Sequence, residues 1–188
     1  MSSTSPGLLA VLGLLDYAFL AAVFGASGAA KLRKPVSVAL AMFRFGLIRR
    51  VRPAWGAAAG AAECVAAVAL LVAVVALPGR WLLALPAFLL CVAFTALIGR
   101  ALWRGERFSC NCFGESSAPI SRLSLGRAAA LALLCGPVGV ALASATDTFG
   151  GPRERVLVAC AGALAACGAF AVGALARLRP FSVRLGDA

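Results

Sequence analysis

Histidine is absent from the 188 residues of this chain. Its absence excludes haem held by histidine, a Ser–His–Asp triad and mixed Cys/His zinc sites. Charged residues are also scarce, because they make up 13% of the chain where a soluble domain has roughly 25%. Chemistry in this protein must therefore use thiols, carboxylates, hydroxyls or a bound cofactor, and most of its surface is not suited to water.

Long apolar runs dominate the sequence, in which 62% of the residues are hydrophobic. A bilayer core of about 30 Å requires a helix of about 20 apolar residues. We predict an all-α, polytopic bundle with four core spans, a fifth C-terminal span and a short interfacial helix, forming a single integral-membrane domain over residues 1–188. The predicted spans are residues 8–30, 54–77, 81–102, 125–145 and 156–176.

Positive charge is concentrated on one side of this predicted bundle. Of the 18 Lys and Arg residues, 15 lie on one side: in the connector between spans one and two, in the connector between spans three and four with the span ends beside it, and in the C-terminal tail. The other three lie on the opposite side. Cationic segments remain in the cytoplasm. We predict an inner (cytoplasmic) membrane, an outside N-terminus and a cytoplasmic C-terminus. Aromatic residues do not interleave these cations, so we expect contact with membrane lipid and no nucleic-acid binding.

The first connector predicts a short amphipathic helix. Val36, Leu40, Phe43 and Leu47 recur at helical spacing, and Pro35 suits the first turn of a helix. Such a helix would lie in the membrane interface. The spans themselves are rich in Gly and Ala, which permit close approach of helix backbones.

The seven cysteines differ in their surroundings. Within apolar spans a thiol usually packs as a small hydrophobe, and this applies to Cys64, Cys91, Cys135, Cys160 and Cys167. Cys110 and Cys112 lie instead in the polar connector "RFSCNCFGES", residues 107–116. The pair can be a redox couple, a clip for a soft metal such as Cu(I), or incidental.

Neighbouring residues favour the redox interpretation of the connector. Arg104 and Arg107 lie just upstream, and nearby cations favour thiolate over thiol. Asn111 lies between the two cysteines and Gly114 follows Phe113, and both residue types accept the unusual backbone angles of a turn. A disulfide across one residue closes a small ring and should exchange readily.

Two carboxylates, Asp16 and Glu63, lie inside predicted spans. Ionisable groups at this depth are costly and are functional candidates. We predict that both lie near mid-membrane, within about 5 Å along the normal, with no Lys or Arg at that depth and at least one acid protonated. They would handle protons or contact a quinone, or else bond Tyr17, Ser27 or Thr95.

Three segments resemble the MauE family of the MauE/DoxX-like redox-associated membrane proteins. They are "GASGAAKLRKP" at the end of span one, "AAECVAAVALL" in span two and "CNCFGE" after span three, and the resemblance covers about residues 10–145. It implies a small helical bundle in which Cys110 and Cys112 are the redox pair and Glu63 is the intramembrane acid. Gly28 and Lys31 fall in the G-x-x-K stretch of the family.

The resemblance implies a membrane thiol–disulfide oxidoreductase that exchanges electrons with a thioredoxin-fold partner and supports redox maturation of exported proteins. Electrons would pass to a quinone as cofactor, or through a thiol such as Cys64 or Cys91. No resident metal is expected. The alternatives are a non-catalytic anchor or assembly subunit of a redox complex, and a Cu(I)-binding membrane protein.

Overall fold

The computed structural model describes residues 6–75, 81–106 and 120–141, together with helical positions 153, 157, 160 and 161. Within these residues the secondary structure is helical, with no strand, and the predicted fold class is confirmed. A 3-10 turn at Trp81–Ala84 leads into the fourth helix. The helices are α1 Pro6–Arg33, α2 Pro35–Arg44, α3 Pro53–Val75, α4 Leu85–Trp103 and α5 Arg122–Leu133, followed by a π-helical turn, Leu134–Val138.

Four helical stretches are long and apolar enough to cross a membrane, and they make this an integral membrane protein. Each has 20 to 26 residues, which at about 1.5 Å per residue matches a bilayer core of about 30 Å. They are Leu8–Arg33, Pro53–Ala73, Leu82–Trp103 and Arg122–Ala141. The predicted fifth span, 156–176, lies outside the described residues apart from positions 157, 160 and 161.

Helices α1 and α3 pack closely and run antiparallel. A Cβ added to Gly28 would lie 2.8 Å from the Gly60 carbonyl oxygen and 2.7 Å from the Cys64 Sγ, so the two backbones touch at this crossing. One turn earlier on α1, Gly25 faces Ala67 of α3. The small residues in these spans therefore permit the close approach that their abundance predicts.

Helix α2 forms where the amphipathic pattern predicts a short helix, and proline occupies its first turn. Its buried residues are Val38, Ala39 and Ala41, and the helix packs against α3. Val36 and Phe43 remain exposed. An exposed apolar stripe beside a packed face is what a helix in the membrane interface requires.

The π-helical turn interrupts the last described span, so the second half of that span does not continue the regular helix of α5. Pro137 lies inside it and has no N–H to donate to the Leu133 carbonyl. Gly136 has non-helical angles, φ −97° and ψ −111°. A Cβ at Gly136 would lie 2.6 Å from the Phe88 ring, so glycine lets this turn approach α4 closely.

Candidate functional site

A buried ion pair lies beside the α1–α3 crossing. The Lys31 ammonium, from the last turn of α1, donates to the Glu63 Oε1 of α3. It also donates to the Ser27 Oγ at 3.2 Å and lies 4.7 Å from the centroid of the Phe94 ring on α4. Lys31 and Glu63 are 4% and 2% exposed. Two opposite charges, a hydroxyl and an aromatic face thus compensate one another away from water.

This pair corrects the prediction that no cation lies at the depth of the acids. The predicted first span ends at residue 30, but α1 continues to Arg33 and keeps Lys31 within the helix. The close approach of Gly28 to Gly60 then brings α3 within reach of the lysine side chain. Glu63 Oε1 accepts a hydrogen bond from this cation, a partner that the sequence did not predict.

Asp16 and Glu63 do not lie at one depth, and the predicted separation of about 5 Å is wrong. The contacts of Gly25 with Ala67 and of Gly28 with Cys64 place Glu63 level with residue 29 of α1. Asp16 is thirteen residues away from that level, or about 20 Å along the helix. The structure therefore separates the two carboxylates into different environments.

Asp16 lies close to the helical turn that follows the π-helical turn. Its Oδ2 would be 3.6 Å from a Cβ at Gly139. This oxygen and the neighbouring Tyr17 hydroxyl are buried without a hydrogen-bond partner among the described residues. Asp16 is thus a candidate polar site in its own right and has no contact with the lysine–glutamate pair.

A cavity opens between α1, α3, α4 and α5 beside the ion pair. Its volume is about 20 Å³, which is room for about one water molecule. Its polar lining consists of Ser27, Glu63 and Cys91, and its aromatic lining of Phe24 and Phe94. The second carboxylate oxygen of Glu63, Oε2, is buried without a partner in the described part of the chain. The cavity therefore combines apolar walls with one unsatisfied acceptor.

Cys91, which lines this cavity, contacts a second thiol. The Cys91 Sγ of α4 lies 4.0 Å from the Cys135 Sγ in the π-helical turn, and both side chains are buried. The neighbouring Thr95 hydroxyl donates to the Cys91 carbonyl at 2.7 Å, which secures this turn of α4. Among the described residues no cluster of three or more His, Cys, Asp or Glu could hold a metal ion.

The predicted CxC pair lies outside the described residues. Cys110 and Cys112, with Arg107, Asn111, Phe113 and Gly114, belong to residues 107–119, between the described ends of α4 and α5. Arg104 is described and lies exposed at the C-terminal end of α4. There Gly105, with φ +71°, terminates the helix in the left-handed conformation that glycine favours.

The structure brings together three residues that the sequence resemblance singles out: Gly28 and Lys31 of α1 and Glu63 of α3. Two contacts could not be predicted from the sequence. Ser27, a candidate partner of the acids, accepts a hydrogen bond from Lys31 one helical turn away. The pairing of Cys91 with Cys135 across 44 residues leaves no local signal in the sequence.

Comparison with known proteins agrees with the sequence resemblance. The family model described as methylamine utilisation protein MauE matches residues 8–145. The match includes the four membrane-crossing stretches and the connector that carries Cys110 and Cys112. No curated protein and no solved structure matches the chain.

Proposed function

Since this chain belongs to the MauE family of methylamine utilisation membrane proteins, we propose that it is a membrane thiol–disulfide oxidoreductase. Cys110 and Cys112 are its redox pair, and a thioredoxin-fold protein is its partner. The exchange supports the redox maturation of exported proteins. The observation that carries this proposal is a CxC pair, within the matched region, in a polar connector between two membrane-crossing helices.

The chemistry of the connector supports thiol exchange. The exposed Arg104 ends α4 six residues before Cys110, and a nearby cation favours the thiolate that attacks disulfides. A disulfide between Cys110 and Cys112 would close a small ring, and strained disulfides exchange more readily than structural ones. The connector joins helices that pack against each other, so its two ends are held by the bundle.

The exchange has two steps. The thiolate of one cysteine attacks the partner's disulfide, which forms a mixed disulfide and releases one partner thiolate. The second cysteine then attacks the mixed disulfide, forming the Cys110–Cys112 bond and releasing the partner as a dithiol. Two electrons and two protons pass to the partner, and the reverse sequence oxidises the partner instead.

The first test traps this mixed disulfide. In Cys112→Ser the second step cannot occur through residue 112, so Cys110 should remain linked to its partner in native membranes. We expect an adduct on non-reducing gels that dithiothreitol removes and in which mass spectrometry finds a thioredoxin-fold peptide joined to Cys110.

Matched variants show whether the adduct depends on the cysteines of the connector. Cys110→Ser/Cys112→Ser should form no adduct, whereas Cys64→Ser in the Cys112→Ser background should leave the adduct unchanged. If neither single variant at 110 or 112 forms an adduct and both support normal function, the exchange mechanism is wrong. The chain would then be better explained as a non-catalytic subunit.

We further propose that the connector faces the cytoplasm of an inner membrane, because 15 of 18 cations lie on the side that includes it. In intact cells a membrane-impermeant maleimide should leave Cys110 and Cys112 unlabelled, and after lysis it should label both. A cysteine introduced by Ser2→Cys should instead be labelled in intact cells. Labelling of Cys110 from outside intact cells would reverse the proposed orientation.

A further inference from the structure

We propose that α2 and the residues on either side of it form a binding face for the phosphate headgroups of anionic phospholipids. Six exposed cations make up this basic face: Arg33, Lys34, Arg44, Arg49, Arg50 and Arg52. Lipid binding here needs none of the cysteines, so it does not depend on thiol exchange at residues 110 and 112. It is equally independent of the side of the membrane on which the face lies.

The basic face has no acidic residue of its own. The sequence contains no Asp or Glu between Asp16 and Glu63, and Glu63 is buried against Lys31. The remaining acid in the described part of the chain, Glu106, lies beside Arg104 at the end of α4. The basic face therefore carries a net positive charge, which attracts anions.

Large apolar side chains lie among these cations. Val36, Phe43 and Leu47 are exposed on α2 or just after it, and Trp55 is half exposed in the first turn of α3. In a membrane such side chains enter the acyl region, while Lys and Arg side chains extend to the phosphates. An acidic protein would have to cover the apolar side chains as well as the cations. A phospholipid supplies both the acyl chains and the phosphate, and it is the occupant that fits.

The basic face also lies at the boundary of the membrane. One membrane-crossing stretch ends at Arg33, and another begins at Pro53, directly after Arg52. The attraction between a cation and an anionic membrane surface falls off within a Debye length, which is about 8 Å at physiological ionic strength. Cations at the ends of membrane-crossing helices are within this distance of the headgroups.

Packing holds the basic face in a fixed shape. At one end, a Cβ on Gly56 of α3 would collide with the Pro35 carbonyl, so α2 begins in contact with α3. At the other end, Phe45 packs against a buried cluster that includes Ala101 of α4. Gly46, with φ +74°, turns the chain directly after this contact. Charge alone is enough to orient a connector, whereas a fixed arrangement of cations reduces the ordering cost of binding a ligand.

The test measures which lipid lies next to Trp55. Trp81→Phe/Trp103→Phe leaves Trp55 as the single tryptophan of the full chain, which is placed in nanodiscs of phosphatidylcholine and phosphatidylglycerol in equal parts. In one set the phosphatidylglycerol carries brominated acyl chains, and in the other set the phosphatidylcholine does, because bromine quenches tryptophan fluorescence on contact.

We expect phosphatidylglycerol to be enriched next to Trp55 by about three- to fivefold at low salt. The enrichment should fall to near one in about 1 M sodium chloride, where the Debye length is about 3 Å. Equal quenching by the two brominated lipids at low salt would overturn the proposal and would leave an acidic protein as the candidate occupant.

A charge-neutral variant locates the binding. In the same tryptophan background, Arg49→Gln/Arg50→Gln/Arg52→Gln should reduce the enrichment to near one. Its quenching in nanodiscs of brominated phosphatidylcholine alone should equal that of the parent, which checks that the bundle is inserted and that Trp55 keeps its place. If the variant passes this check and retains the enrichment of the parent, the basic face is not the binding site.

A matched control separates the basic face from the total charge of the protein. Arg100→Gln/Arg122→Gln/Arg127→Gln removes three exposed arginines outside the face and should keep an enrichment of about three- to fivefold. Equal loss in the two triple variants would show that total charge selects the lipid, and it would contradict binding at this face.

Discussion

Lys31→Met is expected to lower the free energy of unfolding by about 3–5 kcal/mol, because Glu63 would be left buried without its cation. Methionine keeps an unbranched apolar stem, so most of the packing near Phe94 should survive. The measurement is unfolding in mixed micelles with increasing dodecyl sulfate, followed by tryptophan fluorescence. Because the packing is largely kept, the loss of unfolding free energy should come mainly from the unpaired Glu63 carboxylate.

Two variants separate the ion pair from the general effect of removing a charge. Arg33→Met removes an exposed cation from the last residue of the same helix and should change stability by no more than about 0.5 kcal/mol. Lys31→Met/Glu63→Gln removes both charges and should recover most of the loss, since a buried pair replaced on both sides is often near neutral. Equal effects of Lys31→Met and Arg33→Met would contradict the buried pair.

Gly28→Ala is expected to destabilise the protein by about 1–3 kcal/mol through overpacking at the α1–α3 crossing. The new methyl group would lie 2.8 Å from the Gly60 carbonyl oxygen, a backbone atom that cannot rotate away. The helices would have to separate, and the Lys31–Glu63 contact next to the crossing would loosen with them. The same unfolding measurement applies.

The same chemical change at Gly126 provides the control, with the opposite sign. A Cβ at Gly126 would meet no atom within 4 Å, and the residue is exposed in α5. Gly126→Ala should stabilise the protein by up to about 1 kcal/mol, because alanine is the better helix former. If Gly28→Ala also stabilised the protein, the close crossing would be refuted.

Patterns of neighbouring residues were sufficient to predict the main helices and the family to which the chain belongs. Apolar length predicts four membrane helices that the structure contains, and the composition of the first connector predicts α2. These features depend on residues near one another in sequence, which is why they could be read directly. The CxC motif is equally local, although its geometry lies outside the described residues.

The buried face of each helix could not be predicted in the same way. Val65 is 65% exposed and the adjacent Ala66 is fully buried, yet both are apolar. In a membrane the lipid-facing and the core-facing sides are both apolar, so hydrophobic periodicity does not distinguish them. This is also why α2 buries Val38 and Ala39 while its predicted apolar stripe remains exposed.

The sequence by itself determined that this chain enters the membrane as helices, belongs to the MauE family and carries thiols and carboxylates without histidine. Only the tertiary structure decided that Lys31 reaches Glu63, that Asp16 stands apart, and that Cys91 meets Cys135. The physical reason is the separation of the interacting residues along the chain. Helix formation depends on neighbouring residues, whereas these pairings span 32 and 44 residues and depend on the register and rotation of packed helices.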